Sequence, residues 1–307
     1  MRVFHSDRYD VPLPPGHRFP MEKYRRVRER LVEASVLMPE ELEESVPVSR
    51  EELARVHTPR WLDAMFEGTL TDAEARRLGF PWSEGLLLRS QAAVGGTLQA
   101  ARHALSHGLS GNLAGGTHHG FPDHGEGYCV FNDIAVAIRV LQAEGRLRRA
   151  VVVDLDVHQG NGTAAVFADD DSVFTFSMHG ENNFPFRKQR SSLDLGLPDG
   201  AGDGEYLEAL GRHLPFVLER SCAEVLFYQA GVDPLAEDAL GRLRLTLGGL
   251  RERDRQVLEA ARRGGLPVVL TLGGGYAKPI SLTVEAHVGT YEVARQVFEG
   301  ANARSRS

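Results

Sequence analysis

Val151–Thr163 reads VVVDLDVHQGNGT, and this stretch decides the fold. Three valines run into Asp154, Asp156 and His158 and then into a Gly-Asn-Gly loop. A short, continuous apolar run predicts a strand buried on both faces, here Ala150 to Leu155, of the kind found in parallel sheets. Side chains alternate along a strand, so positions 154, 156 and 158 leave it on one face, at the carboxyl end of the sheet. Open α/β sheets place their chemistry at that edge. Two carboxylates and an imidazole converging there are costly to bury unless a cation or hydrogen bonds compensate them, and the stretch points first to a metal site.

Working outward, strands alternate with helices along the chain. Strands are predicted at Val3–Ser6, Gly111–Ala114, Ser172–Met178, Glu224–Ala230 and Pro267–Leu272. Helices are predicted at Glu22–Glu33, from Ser49 onward, Glu84–His107, Asn132–Ala143, Thr163–Ala168, Gly204–Arg220 with a kink at Pro215, Leu247–Arg263 and Pro279–Phe298. Ser49 with Glu52 matches a capping box, and Pro59 suits the first turn of a further helix. Gly95-Gly96 inside the long Ala-rich helix marks a place where another element packs closely. The alternation implies an α/β fold, a single-domain, mostly parallel sheet with helices on both faces. No linker or composition break divides residues 1–300, and residues 301–307, ANARSRS, read as a frayed tail.

Composition narrows the function. Lys and Arg number 35 against 42 Asp and Glu, a net charge of -7, which argues against nucleic acid as a partner. The basic run Arg25–Arg30 lies on a predicted helix and reads as a solvated face. Two cysteines, Cys129 and Cys222, are too few for a disulfide framework. No apolar stretch reaches the length of a membrane span, and the N-terminus lacks signal-peptide organisation; the expectation is a cytoplasmic enzyme with no membrane partner.

Four predicted strands end in unusual residues: GGTHHG (115–120), DLDVHQGN (154–161), AGVDP (230–234) and GGGY (273–276). Parallel neighbours would gather these ends in space. Asp156 and His158 with Asp233 make a set of one histidine and two carboxylates that zinc accepts while keeping a position open for water. A lone D-x-H is more often a hydrogen-bonded turn; the third carboxylate and the paired histidines favour the metal. His118 and His119 could divide the work of base and acid if different partners stand behind them, with Asp154 and Asn161 as candidates. Tyr276, after three glycines, could donate to a carbonyl oxygen that gains charge. Tyr128 and Phe184 lie on separate irregular segments and could line a slot for an aliphatic chain. Cys129 lacks a histidine-partner pattern and reads as a buried small residue.

GGTHHGFPDHGEGYCVFND, VVVDLDVHQGNGTA, FTFSMHG, FYQAGVDP and LGGGY, with VHTPRWLDAM earlier, resemble the histone deacetylase superfamily in order and spacing over nearly the whole chain. QGNG and the three-glycine GGGY look more like class IV deacetylases and their bacterial relatives than like class I. The resemblance implies an arginase/deacetylase-like fold spanning residues 1–300 and one zinc per chain, held by Asp156, His158 and Asp233. It implies His118 paired with Asp154, His119 beside Asn161 as base and acid, and Tyr276 polarising the substrate carbonyl. Gly127 would contact the substrate amide, with Tyr128 and Phe184 as channel walls. A structural potassium is implied at Asp154, Asp156, His158, Ser177 and Met178. Asn161 stands where class I has an Asp. The two-metal arginase pattern needs further aspartates that Gln159 and Asn161 do not supply.

The expected function is therefore a zinc-dependent amidohydrolase that removes an acetyl or longer acyl group from an N-acyl-lysine side chain. The alternative is a small N-acyl-amine substrate such as an acetylpolyamine. Acetylpolyamine amidohydrolases, a related family, usually carry an inserted loop; no extra segment is evident here, which favours acyl-lysine.

Overall fold

The computed structural model describes residues 1–300 apart from positions 10 and 12, so the tail at 301–307 lies outside the described residues. Eight strands form one sheet: β1 (Arg2–His5), β2 (Leu42–Glu44), β3 (Leu109–Asn112), β4 (Ala150–Asp154), β5 (Val173–Gly180), β6 (Leu193–Leu197), β7 (Val225–Gln229) and β8 (Val268–Thr271). Their order is β2-β1-β3-β8-β7-β4-β5-β6, and every neighbouring pair is parallel. The helices are α1 (Lys23–Glu33), α2 (Arg50–Leu53), α3 (Pro59–Glu67), α4 (Asp72–Leu78), α5 (Glu84–His107), α6 (Asp133–Ala143), α7 (Asn161–Val166), α8 (Asp203–Ser221), α9 (Leu247–Arg263) and α10 (Ile280–Phe298).

The period of β4 separates two cores. Val151 and Val153 join a cluster with residues of α1, α8, α9 and α10, whereas Ala150 and Val152 join another with residues of α3, α5 and α6. The sheet is thus covered on both faces, which is why its central strands are apolar throughout. The alternation outlasts the ladder. β4 stops pairing at Asp154, but Leu155 and Val157 still enter the first cluster, leaving Asp154, Asp156 and His158 turned the other way. The four strands with unusual ends, β3, β8, β7 and β4, are consecutive in the sheet, so GGTHHG, GGGY, AGVDP and DLDVHQGN meet at one edge.

Local signals act as expected. Ser49 and Glu52 form both bonds of the capping box, at 3.2 and 2.7 Å, and Pro59 opens α3 behind the Thr58 cap. α8 continues through the exposed Pro215. The arginines of Arg25–Arg30 all lie near carboxylates: Glu29, Glu22, Asp7 and Glu285. No helix among the described residues is long and apolar enough to cross a membrane.

Some boundaries differ. β3 is Leu109–Asn112 rather than Gly111–Ala114, because its ladders with β1 and β8 end at Asn112 and the chain then turns through Gly115 and Gly116, both at φ +73°. α7 starts at Asn161 rather than Thr163, which puts that side chain in the helix's first turn. β2 and β6 were not expected: they are edge strands, half-exposed and carrying Glu43, Glu44 and Asp194, residues depleted in strands. α4 has a legible signature, a Thr71–Glu74 capping box and Gly79 at φ +82° as its stop, but only seven residues of helix between them.

Gly95 and Gly96 are the predicted close approach. A β-carbon on Gly95 would lie 1.9 Å from the Val46 carbonyl oxygen, and one on Gly96 2.5 Å from Ser45 Oγ. Gly95→Ala is expected to destabilise the protein by about 1–3 kcal/mol through overpacking, read as a lower denaturation midpoint; an unchanged midpoint would show that the 45–48 segment yields freely.

Candidate active site

Asp156, His158 and Asp233 come together. One ligand atom from each lies within 4.8 Å of the others, and all three residues are buried. His158 Nδ1 sits 3.0 Å from Asp156 Oδ1 and 3.1 Å from Asp233 Oδ2. The remaining oxygens are anchored by backbone: Gly274 N donates to Asp156 Oδ2 and Val157 N to Asp233 Oδ1, each at 2.8 Å. Glycines leave the space that these oxygens fill. A β-carbon on Gly274 would lie 1.9 Å from Asp233 Oδ2, and one on Gly231 2.2 Å from Asp156 Oδ2. Burial and the Asp156 charge push the Asp233 carboxyl up to about 7, against the pull of His158. Burial opposes charge on His158 as well, but its two carboxylate partners raise it to about 10. His158 Nδ1 and the two carboxylates thus converge where a cation would sit between them. The donor set and its cradle fit a divalent ion.

The paired histidines differ by what stands behind them. His118 Nδ1 is 2.7 Å from Asp154 Oδ2, and His119 Nδ1 is 2.6 Å from Asn161 Oδ1. The two rings lie 4.1 Å apart. Burial works against charge on both. At His118 the carboxylates of Asp154 and Asp156 override it and lift the imidazole to about 9. At His119 burial and the neighbouring His118 and His158 hold it well below the usual range, and Asn161 offsets them only in part. The side-chain amide of Asn161 donates in turn to Glu126.

A cavity of about 680 Å³ opens over this base, lined among others by Gly127, Tyr128, Phe184 and Tyr276. A β-carbon on Gly127 would lie 2.6 Å from the His119 ring, and Phe184 meets that ring edge-on at 5.0 Å. Tyr128 adopts φ +68°, unusual for a side chain of its size, and packs at 5.2 and 5.3 Å against Phe19 and Phe80. Burial and the carboxylate of Asp233 raise the Tyr276 phenol well above its usual range, so it remains a donor at neutral pH. Cys129 is buried, and burial pushes its thiol up, in keeping with a packing residue. Ser177 lies opposite Asp154 in the β4–β5 register, with its hydroxyl 2.9 Å from His179 Nδ1, and Met178 is buried in the core.

Residues 17–291 match the histone deacetylase domain. The chain belongs to that family. It is 48% identical to an uncharacterized protein of Picosynechococcus sp. over 96% of this chain and 98% of the relative. It is 31% identical to the histone deacetylase-like amidohydrolase of Pseudomonas aeruginosa, over 86% and 73%. The crystal structure of an HDAC homolog from Aquifex aeolicus superposes with a TM-score of 0.81 at 27% identity, covering 95% of this chain and 83% of the other.

In this deacetylase-family cleft several positioning residues escaped the sequence reading. Asp133, in the first turn of α6, accepts from Gly116 N, Thr117 N and the Thr117 and Thr97 hydroxyls at 2.6–3.0 Å, fixing the turn that presents both histidines. Asp238 accepts from Tyr276 N at 2.6 Å and from Leu240 N and Gly241 N. Lys23, wholly buried, donates to Gly273 O at 2.9 Å. A carboxylate at the start of a predicted helix was the available signal for Asp133.

His57 braces the same loops. Its Nδ1 donates to Phe121 O at 3.0 Å and its Nε2 accepts from Asn132 N at 3.1 Å, an arrangement that only the neutral ring can make. Burial lowers this imidazole from 6.5 to about 4. The unfolded chain takes up the proton first, so the stability that neutral His57 provides is present above pH 6.5 and is lost as pH falls toward 4. The shift corresponds to about 3 kcal/mol. Denaturant titrations at pH 7 and pH 4 should show wild type losing roughly that much more than His57→Gln; equal losses would refute the assignment.

Proposed function

We propose that the cleft hydrolyses the amide of an N-acyl-lysine side chain, with one zinc ion held by Asp156, His158 and Asp233. The observation that carries this reading is the convergence of that three-atom donor set with His118, His119 and Tyr276 on one cavity. When bound, the ion supplies Lewis acidity toward the amide carbonyl and the attacking water. Nδ1–H of His119 donates to Asn161 Oδ1, which leaves Nε2 as the free acceptor for a proton from water. His118, backed by the Asp154 carboxylate, is built to carry positive charge and to return a proton to the departing amine. Tyr276 O–H donates to the carbonyl oxygen as it gains charge. Gly127 lets the substrate amide approach the backbone, and Tyr128 and Phe184 flank the alkyl chain. A potassium ion would take Asp154, Asp156, His158, Ser177 and Met178 and would offset the Asp154 charge.

Membership of the deacetylase family and the name of the Pseudomonas relative, an amidohydrolase, support hydrolysis of an acylated amine. Tyr276→Phe and His119→Ala should each lower kcat/KM on acetyl-lysine peptides by roughly 10²–10³-fold while retaining one zinc per chain by elemental analysis. Chelation should abolish turnover and lower the Tm, and one equivalent of zinc should restore both. Full activity in either variant would sink the mechanism, and full activity after verified metal removal would sink the zinc.

A further inference from the structure

The mouth of the cleft carries a charge opposite to that of the chain. The protein has a net charge of -7, yet the cavity lining includes Arg18, Arg76, Arg77 and Arg242, and its only carboxylates are Asp156 and Asp233 at the base. All four arginines are exposed, so they surround the entrance rather than the reacting centre. They come from separate parts of the fold: Arg18 from the segment before α1, Arg76 and Arg77 from the last turn of α4, Arg242 from the loop between β7 and α9. Arg242 shares its charge with Asp199 at 3.1 Å. Arg18, Arg76 and Arg77 make no side-chain ion pair among the described residues, whereas Arg60, from nearby α3, pairs with Glu74 of the same α4.

Basic residues at a helix C-terminus are common because they favour the helix dipole, and that alone would account for Arg76 and Arg77. It does not account for Arg18 or Arg242, nor for a cavity lining that holds no carboxylate beyond the two at its base. Beside these charges Phe186, 85% exposed, also lines the mouth. An exposed aromatic among arginines is the composition of a surface that docks polypeptide.

Resting on the acyl-lysine reading of the base, we propose that this rim selects acyl-lysines set in acidic polypeptide segments, the arginines pairing with aspartate or glutamate side chains flanking the lysine and Phe186 seating an apolar one. Because the arginines lie at the entrance, they meet what flanks the lysine and not the acyl group. The same field repels polycationic amines, which sets acetylpolyamines apart as poor substrates.

The test uses the zinc-loaded full chain and three acetyl-lysine peptides of equal length, flanked by glutamates, by serines or by lysines. Turnover and, separately, binding by fluorescence anisotropy are measured at low and high salt. The acidic peptide should exceed the basic one by roughly tenfold in kcat/KM and in affinity at low salt, with the ratio collapsing at about 0.5 M salt. Arg76→Glu combined with Arg77→Glu should bring that ratio to one or invert it, with a thermal melt confirming the fold. Equal handling of the three peptides, or a preference that survives both salt and charge reversal, would overturn the proposal. Absence of turnover on all three would count against the acyl-lysine reading alone, since the anisotropy ratio still decides the rim: preferential binding of the acidic peptide supports it and indifferent binding refutes it.

Discussion

The rest of the structure answers to a crowd of buried negative charge at the carboxyl ends of β4 and β7. Asp154, Asp156 and Asp233 are each at most 3% exposed, and carboxylates buried this deeply persist only if paired or hydrogen-bonded. Each has an imidazole and backbone N–H partners. Asp154 faces the His118 ring and accepts from Asp156 N, while Asp156 and Asp233 share His158 and take backbone N–H groups, two at Asp156 and one at Asp233. The crowding dictates local sequence: Gly231, Gly274 and Gly160 all stand where a β-carbon would come within 2.3 Å of one of these carboxylate oxygens. The glycine-rich loops are the space that the oxygens need.

Holding that edge together requires a second tier of polar anchors. The turn after β3 could not present two adjacent histidines unless its amides were tied down, and Asp133 does this from the first turn of α6 with four donors. Gln229, at the end of β7, reaches across to Gly116 O at 2.8 Å. Asn132, the cap of α6, binds Gly120 O and Thr163 Oγ1 at 3.2 and 3.0 Å. Thus the loop bearing His118 and His119, the helix bearing Asn161 and the helix start at Asp133 are fastened to one another as well as to the sheet.

This layering explains what could be read from sequence. Strands buried on both faces, such as Val151–Val153, write their environment as an unbroken apolar run, and strand ends with charges after such runs announce the edge where chemistry sits. Asp156, His158, Asp233, His118 and His119 were legible for that reason. The family resemblance added Gly127 and the pairing of each histidine with its partner, which the structure also places in contact. Edge strands β2 and β6 carry half-exposed, acidic residues whose strand character comes from their neighbours. Asp133 and Asp238 read as ordinary acidic residues at a helix start and in a loop; only the folded chain shows how many amides each one gathers.

The two histidines make the sharpest physical point. Rings 4.1 Å apart cannot both carry charge cheaply in a buried site. A carboxylate behind each would pull both toward the protonated state. Asn161 avoids this: its oxygen holds the His119 ring by the same Nδ1 bond that Asp154 makes to His118, at nearly the same length, but adds no charge. Glu126 then fixes the orientation of the amide by taking its N–H, so the oxygen and not the nitrogen faces His119. The carboxylate of Asp154, together with that of Asp156, raises His118, whereas burial and the neighbouring His118 and His158 lower His119 with only an amide behind it, so the two imidazoles are shifted in opposite directions.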